Sequence, residues 1–213
     1  MKIKRFSFNF FQENTYVVYD EGISDCAIID PGCYFPEEEN SLLKFLTDNN
    51  LTPSKVLYTH CHLDHDFGAN FLIGQFPAIK FYGHQKEQAN IDNAEAQGRL
   101  FGVSLQQPPS ISHYVFEGEK ITVGENSFTV IETPGHSAGG VCYFCESDKI
   151  LFSGDTLFAG SIGRSDLFGG NGQALVDSIR TKLMTLPDDV TVYPGHGYTT
   201  TIADEKHGNP FIP

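Results

Sequence analysis

Residues that can bind metal ions are concentrated in the segment YTHCHLDHDFG at positions 58–68, where three histidines and two aspartates fall within seven residues. His60 and His62 are two positions apart, so their side chains point to the same side of an extended segment. Asp64 and His65 are adjacent and follow a change of direction. They can therefore face a second point close to the first. This spacing predicts a site that is built to hold metal ions.

Three more side chains of the same kind follow apolar segments elsewhere in the chain. FTVIETPGH ends at His136, ILFSGD ends at Asp155 and VTVYPGH ends at His196, just as KVLYTH ends at His60. Loops on a rigid sheet are where binding sites are commonly built. Five imidazoles and two carboxylates, with no obligatory thiolate, suit zinc, iron or manganese. One ion cannot conveniently take all seven groups, whereas two ions that share a carboxylate can.

The elements that must position these residues are strands and helices in alternation. Short apolar or alternating runs predict strands at 2–9, 14–20, 26–30, 55–60, 79–83 and 190–197, and strand pairs around turns at 124–126 and 146–149. Helices are predicted at about 36–49, 67–76, 84–98 and 173–185. This order predicts an α/β fold with two sheets inside and helices outside. The chain shows no domain break, so we expect one domain over residues 1–213.

Composition excludes several classes of protein. The chain has 213 residues, 40% of them hydrophobic, and a formal net charge of −13. Nucleic-acid and anionic membrane surfaces need clustered Lys and Arg, so we expect neither partner. No run approaches the roughly 18 apolar residues of a membrane span, and the N-terminus MKIKRFSFNFF does not resemble a signal peptide. Five scattered cysteines predict reduced thiols in a cytoplasmic protein.

Together, the motifs THCHLDH, TPGH, SGD and PGHG resemble the metallo-β-lactamase superfamily, whose pattern is HxHxDH followed by His, Asp and His. The segments FAGSIGRSDLFGG, LPDDVTVYPGHG and EKHGNPF are similar to those of short, single-domain bacterial glyoxalase II-like proteins, which are hydroxyacylglutathione hydrolase-like. The resemblance covers the chain from about Phe8 to Phe211. It implies a four-layer αββα sandwich with two mixed sheets flanked by helices, and a site at one edge between the sheets.

The resemblance also implies a role for each candidate residue. One divalent ion would be held by His60, His62 and His136, the other by Asp64, His65 and His196, and Asp155 would bridge the two. Zinc is the expected metal, with iron or manganese as alternatives. A hydroxide between the ions would attack a small thioester such as S-D-lactoylglutathione, and catalytic roles are assigned to Asp64 and Asp155.

Other functions use the same motif. Persulfide dioxygenases resemble this chain, retain HxHxDH and use one iron on the equivalents of His60, His136 and Asp155. Opening of a lactone, a β-lactam or another ester by the same hydroxide is a further alternative, and a non-enzymatic metal-binding module is another. The stretches AGSIGRSDLFGG and PGHG favour the hydrolase. Full-length glyoxalase II has a helical C-terminal domain that is not expected here, so the thiol part of the substrate and the oligomeric state stay open.

Several residues near the motifs receive structural interpretations. Cys61 lies between two predicted ligands and should point into the core, where a free thiol behaves as a small hydrophobe. Arg164 and Asp166 in GRSD should pair and order their loop, with contact to an anionic substrate as the alternative. Asp66 matches no ligand position.

Overall fold

The computed structural model describes residues 1–212 and contains two six-stranded sheets with helices on their outer faces. The first half comprises β1 (Lys2–Phe8), β2 (Glu13–Tyr19), β3 (Asp25–Ile29), α1 (Pro36–Asp48), β4 (Thr52–Leu57), α2 (Ala69–Gln75), β5 (Lys80–His84), α3 (Gln88–Asp92), α4 (Ala94–Phe101) and β6 (His113–Val115). The second half comprises β7 (Lys120–Val123), β8 (Asn126–Glu132), β9 (Val141–Cys145), β10 (Ile150–Gly154), β11 (Leu157–Phe158), β12 (Ser161–Ile162), α5 (Gly172–Ser178), β13 (Thr191–Pro194), β14 (Thr200–Thr201) and α6 (Ile202–Gly208).

Both sheets are mixed. The first has the order β1-β2-β3-β4-β5-β6, with antiparallel pairs up to β3 and parallel pairs from β3 to β6. The second has the order β14-β13-β10-β9-β8-β7, in which β10 and β13 are parallel. Strands β11 and β12 form a separate small hairpin. The parallel pairs place the ends of β3 and β4, and of β10 and β13, at common edges, where loops can meet.

Three hydrophobic clusters hold the four layers together. Successive residues of a strand point to opposite faces, so Val17 packs toward the helices and Val18 toward the other sheet. The cluster between the sheets joins residues such as Ala27 of β3 to Phe128 of β8. The outer clusters cover the first sheet with α1 and α2, and the second sheet with α5 and α6. The predicted αββα class is therefore confirmed.

Two predicted helices differ in detail from the observed ones. The polar stretch 84–98 divides into a 3-10 turn, Gln85–Glu87, followed by α3 and α4, which are separated at Asn93. The helix expected at 173–185 is α5 followed by a π-helical turn, Ile179–Leu183. At that junction the Thr181 hydroxyl donates to the Asp177 carbonyl at 2.7 Å, a bond of the kind that bends helices. Strand β6 and helix α6 were not predicted.

Within residues 1–212, no helix combines the length and the hydropathy needed to cross a bilayer.

Candidate metal centre

The seven side chains singled out in the sequence lie together beyond the ends of strands from both sheets. Three of the segments that carry them follow β8, β10 and β13 of the second sheet, and the fourth follows β4 of the first. The first-sheet segment is extended up to His62 (φ −69°, ψ 151°) and then turns as a 3-10 helix over Leu63–His65. This turn is the change of direction that separates the two pairs of candidate ligands in HxHxDH.

One group, here called the three-histidine cluster, consists of His60, His62 and His136. The Nε2 atom of His136 lies 3.1 Å from His60 Nε2 and 2.9 Å from His62 Nδ1. All three residues are buried. Burial, followed by the nearby histidines, lowers the pKa of His60 well below its usual value. The ring nitrogens of the cluster converge on one point, and the lowered pKa keeps His60 neutral, as a divalent cation requires of a histidine ligand.

The second group, here called the carboxylate cluster, consists of Asp64, His65 and His196. Asp64 Oδ2 lies 3.3 Å from His196 Nε2 and 3.8 Å from His65 Nε2. Burial raises the pKa of Asp64, but His65 and His196 outweigh it, so that the pKa is lowered. The carboxylate is therefore ionised at neutral pH and faces two imidazoles.

Asp155 lies between the two clusters and faces both. Its Oδ1 is 3.5 Å from His65 Nε2 in the carboxylate cluster. Its Oδ2 is 3.6 Å from His136 Nε2 in the three-histidine cluster and 3.5 Å from His196 Nε2. One carboxylate thus offers an oxygen atom to each side of the site.

The donor set fits divalent metal ions. Among the side chains of residues 1–212, His65 Nε2 and Asp155 Oδ1 are buried polar atoms without a hydrogen-bond partner. A buried polar atom without a partner costs free energy, so native proteins leave few of them. Both atoms point toward the same space, and a cation there would satisfy both. Imidazole and carboxylate ligands suit zinc, iron and manganese alike.

Hydrogen bonds on the outer side orient the imidazoles. Three Nδ1 atoms have backbone or carboxylate acceptors: His65 with Asp30 Oδ2 at 3.1 Å, His136 with the Arg164 carbonyl at 2.7 Å, and His196 with the Phe11 carbonyl at 3.1 Å. These bonds direct each Nε2 inward, where a bound metal ion would displace any proton that the nitrogen carries.

Asp30 contacts a candidate ligand and was missed in the sequence, where no motif singled it out. Its carboxylate accepts the Thr59 backbone N–H at 2.7 Å and the Thr59 hydroxyl at 2.6 Å, besides contacting His65. It is buried at the end of β3. An aspartate that ends a buried strand, like Asp155, was the available signal.

Glu87 is a second missed residue, and it connects the two loops of the three-histidine cluster. Its buried carboxylate accepts the Cys61 N–H at 2.9 Å and the Gly139 N–H at 2.7 Å. Cys61 lies between two of the candidate ligands, and Gly139 lies three residues after His136. The Asn90 amide adds a third bond at 2.8 Å. Nothing in the local sequence distinguishes Glu87 from other acidic residues on a polar helix.

Cys61 and Asp66 face away from the centre. The Cys61 side chain belongs to the core cluster that also contains Leu72, so its predicted orientation is confirmed. Burial raises the pKa of the Cys61 thiol well above its usual value. Asp66 is buried and accepts a hydrogen bond from the Tyr58 hydroxyl, and burial raises its pKa to about 8.

A cavity of about 200 Å³ opens over the site. Its walls are mostly apolar, with Phe11 and Phe101 on one side and Leu167 on another. Arg164 also lines this cavity, and its guanidinium forms two 2.7 Å bonds with Asp166, as GRSD predicted. A small molecule that enters the cavity reaches both clusters.

The four-layer fold and the paired clusters define the class of protein, and comparison with known proteins identifies the family. The model of the metallo-beta-lactamase superfamily matches residues 8–196, and the chain belongs to this superfamily. A probable metallo-hydrolase of Bacillus subtilis, YqgX, is 35% identical over 100% of this chain and 98% of its own length. The hydroxyacylglutathione hydrolase GloC of Haemophilus influenzae is 34% identical over 95% of this chain and 93% of its own length.

Solved structures agree over nearly the whole chain. The crystal structure of BLEG-1 B3 metallo-beta-lactamase superposes with a TM-score of 0.89 at 36% identity, covering 99% of both chains. The crystal structure of TTHA1623 in a di-iron-bound form superposes with a TM-score of 0.87 at 34% identity, covering 98% of this chain and 100% of that one. Similar proteins thus carry different functional names and one of them binds two irons.

Proposed function

We propose that this protein is a metal-dependent hydrolase that cleaves a small thioester, with a hydroxyacylglutathione such as S-D-lactoylglutathione as the first candidate. The observation that carries the proposal is Asp155, whose carboxylate faces both clusters. Its Oδ1 lies near His65, and its Oδ2 lies near both His136 and His196. Such a carboxylate suits a pair of ions that share one ligand. Similarity to GloC over 95% of this chain supports the thioester as the substrate class.

In this proposal each cluster would hold one ion. The three-histidine cluster would hold the first, the carboxylate cluster would hold the second, and Asp155 would contribute to both. When bound, two divalent ions lower the pKa of a shared water toward neutrality and polarise the carbonyl under attack. Zinc is the expected metal, and the di-iron form of TTHA1623 supports testing iron beside it.

The residues of the chain contribute orientation, exclusion of water and proton handling. The bonds from His65, His136 and His196 to their outer acceptors keep each Nε2 directed inward. Apolar walls such as Phe11 and Phe101 limit the water around the substrate. Asp64 is ionised and lies in the cavity wall, so an Oδ atom can accept a hydrogen bond from the nucleophilic water and orient it. A thiol has a pKa near 8.5, so the departing thiolate needs no strong acid.

The test is a parallel assay of the purified protein with lactoylglutathione, glutathione persulfide and a β-lactam, with bound metal quantified. The proposal expects thioester cleavage by protein that carries about two metal ions per chain. Oxygen consumption with persulfide, one iron per chain and no thioester cleavage would overturn it. The β-lactam is included because BLEG-1 is 36% identical to this chain.

A second candidate, an iron-dependent persulfide dioxygenase, is favoured by one part of the geometry. His60, His136 and Asp155 form two imidazoles and one carboxylate on one side of a point, with the His60 and His136 Nε2 atoms 3.1 Å apart. This arrangement is typical of mononuclear iron oxygenases. His196→Ala separates the two candidates, because it removes a ligand that only the two-metal hydrolase needs. Dioxygenase activity that survives this change would favour the second candidate.

We further propose a cytoplasmic location and a small molecule as the partner. The five cysteines are buried and unpaired, which suits a reducing compartment. The net charge of −13 opposes binding to nucleic acid.

A further inference from the structure

The cavity over the two clusters is called the metal cavity here. A second cavity adjoins it at Gln97. It has a volume of about 290 Å³ and is lined by Asn93, Ala96, Gln97, Leu100 and Phe168, which together are called the outer groove here. Four of these residues belong to α4 or its cap, with the spacing i, i+3, i+4 and i+7 that places side chains on one face of a helix. Phe168 faces them from residues 163–171, GRSDLFGGN, which are called the glycine-rich loop here.

The same two elements form walls of both cavities. Gln97 and Phe101 of α4 line the metal cavity, and Gln97 also lines the outer groove. The glycine-rich loop contributes Leu167 to the metal cavity and Phe168 to the groove. The groove is therefore an extension of the metal cavity that runs outward between α4 and this loop.

The loop wall of the groove is anchored near the metal centre. Asn171 donates its backbone N–H to the Gly135 carbonyl at 2.7 Å, next to His136. Gly169 has a φ of +79°, and a Cβ there would lie 3.2 Å from the Ala138 Cβ. Both features hold the loop against the segment after β8. The outward position of Phe168 is therefore held by the loop backbone.

The α4 wall is also fixed in place. The Gln97 side chain donates to the Asn90 carbonyl at 3.0 Å, which orients it across the junction of the two cavities. The Val103 N–H donates to the Gly98 carbonyl at 2.8 Å and closes the end of the helix. Leu100 is nevertheless 77% exposed and Phe168 is 75% exposed. Two large apolar side chains are thus exposed to solvent beside the metal cavity.

We propose that the outer groove binds an uncharged, apolar arm of the substrate while the reacting carbonyl lies in the metal cavity. This inference rests on the proposed thioester hydrolase, and within it favours a thioester with an apolar arm over lactoylglutathione, whose lactoyl and glutathione parts are both polar. The five groove residues include no ionisable side chain, so nothing in the groove favours a charged group. Contact with Leu100 and Phe168 removes apolar surface from water, which favours binding in proportion to the area covered. The apolar arm belongs either to the acyl part or to the thiol part of the substrate.

Two series of thioesters distinguish these sources. In one series the thiol is constant and the linear acyl chain grows from two to ten carbons, and in the other the acyl group is acetyl and the alkyl thiol grows. We expect kcat/KM to rise by about two- to fourfold per methylene that enters the groove, in one series only. Leu100→Ser and Phe168→Ser should each flatten that rise and leave the rate with the shortest substrate within about twofold of wild type.

Phe116→Ser is the matched control, because Phe116 is 61% exposed and lies outside both cavities. Exposed positions of this kind tolerate substitution with small effects on stability. The proposal is overturned if the shortest thioester is cleaved but kcat/KM is flat with chain length in both series. It is also overturned if both groove variants keep the wild-type slope, or if Leu100→Ser converts a dimer into a monomer in sedimentation, which would assign the face to a second copy.

A binding experiment separates failure of the groove from failure of the proposed function. S-alkyl thioethers cannot be hydrolysed, and their affinity is measured by calorimetry without any turnover. Affinity that increases with alkyl length in the wild type, and not in Leu100→Ser, supports the groove even if no thioester is cleaved. Affinity that is independent of length in the wild type overturns it.

Discussion

The two clusters of the metal centre lie side by side, yet the pKa values of His60 and His65 shift in opposite directions. In the three-histidine cluster, burial and neighbouring imidazoles lower the pKa of His60 and that of His62, the latter to about 4. In the carboxylate cluster, burial acts in the same direction on His65, but Asp64 and Asp155 outweigh it and raise its pKa well above the usual value. His196 follows His65, since Asp155 and Asp64 raise its pKa as well.

Because of this difference, the two proposed ions would differ in how strongly each polarises the substrate carbonyl. The three-histidine cluster contributes only neutral ligands, so an ion there would keep more of its positive charge and polarise a carbonyl more strongly. The carboxylate cluster contains its own anion, so an ion there would be more fully neutralised. Asp155 faces both clusters, and five substitutions with one control test whether the clusters are separate.

The largest effect is expected for Asp155→Ala. Because Asp155 serves both clusters, the variant should lose occupancy of both ions, and thioester hydrolysis should fall by about 10³-fold or more. Mass spectrometry of bound metal, beside the hydrolysis assay, measures both effects. Circular dichroism provides the control for folding. A variant that keeps two ions and the full rate would show that the bridging assignment is wrong.

The next effect distinguishes one cluster from the other. His62→Ala and His196→Ala each remove one imidazole, and each variant should retain about one ion per chain and lose about 10²- to 10³-fold in activity. Carbonyl polarisation should suffer more in His62→Ala, so its kcat should be the lower of the two. Loss of both ions in both variants would contradict the view that the clusters bind metal separately.

A smaller effect is expected at Glu87, which touches no candidate ligand side chain. Glu87→Ala frees the N–H groups of Cys61 and Gly139, so the loops of the three-histidine cluster should lose their alignment. We expect metal affinity there to fall by about 10- to 100-fold, measured by competition with a chelator.

The matched control for this prediction is Glu205→Ala. Glu205 is also buried and accepts bonds from the Gly160 N–H and the Thr200 hydroxyl, but these belong to segments without candidate ligands. The control should lose stability and keep its metal affinity. Equal losses of metal affinity in the two variants would show that Glu87 has only a general structural role.

The smallest effect is expected for Cys61→Ser. The thiol lies in the core behind the clusters, so the metal content should stay near that of the wild type. The buried hydroxyl should lower the free energy of unfolding by about 1–3 kcal/mol, which urea denaturation measures. A large loss of metal would instead show that the Cys61 thiol is a metal ligand of the three-histidine cluster.

The positions of most strands and the α/β class could be predicted because the signals for strands are local. Runs such as CAIID and ILFSGD are apolar and end in turn residues, and they became β3 and β10. The break at Asn93 and the π-helical turn at Ile179–Leu183 were not predictable in this way. They depend on side-chain bonds and packing that no hydrophobic pattern records.

The local sequence is enough to show which side chains can bind metal and that each follows the end of a strand. A strand forms from neighbouring residues, and the side chain that follows it is carried along by chain connectivity. The resemblance implied that Asp155 would serve both clusters. Only the packing of the folded chain shows that Glu87 joins two loops and that α4 meets the glycine-rich loop to form a groove. These contacts join residues far apart in the chain, so their geometry comes from the packing of two sheets and not from any local pattern.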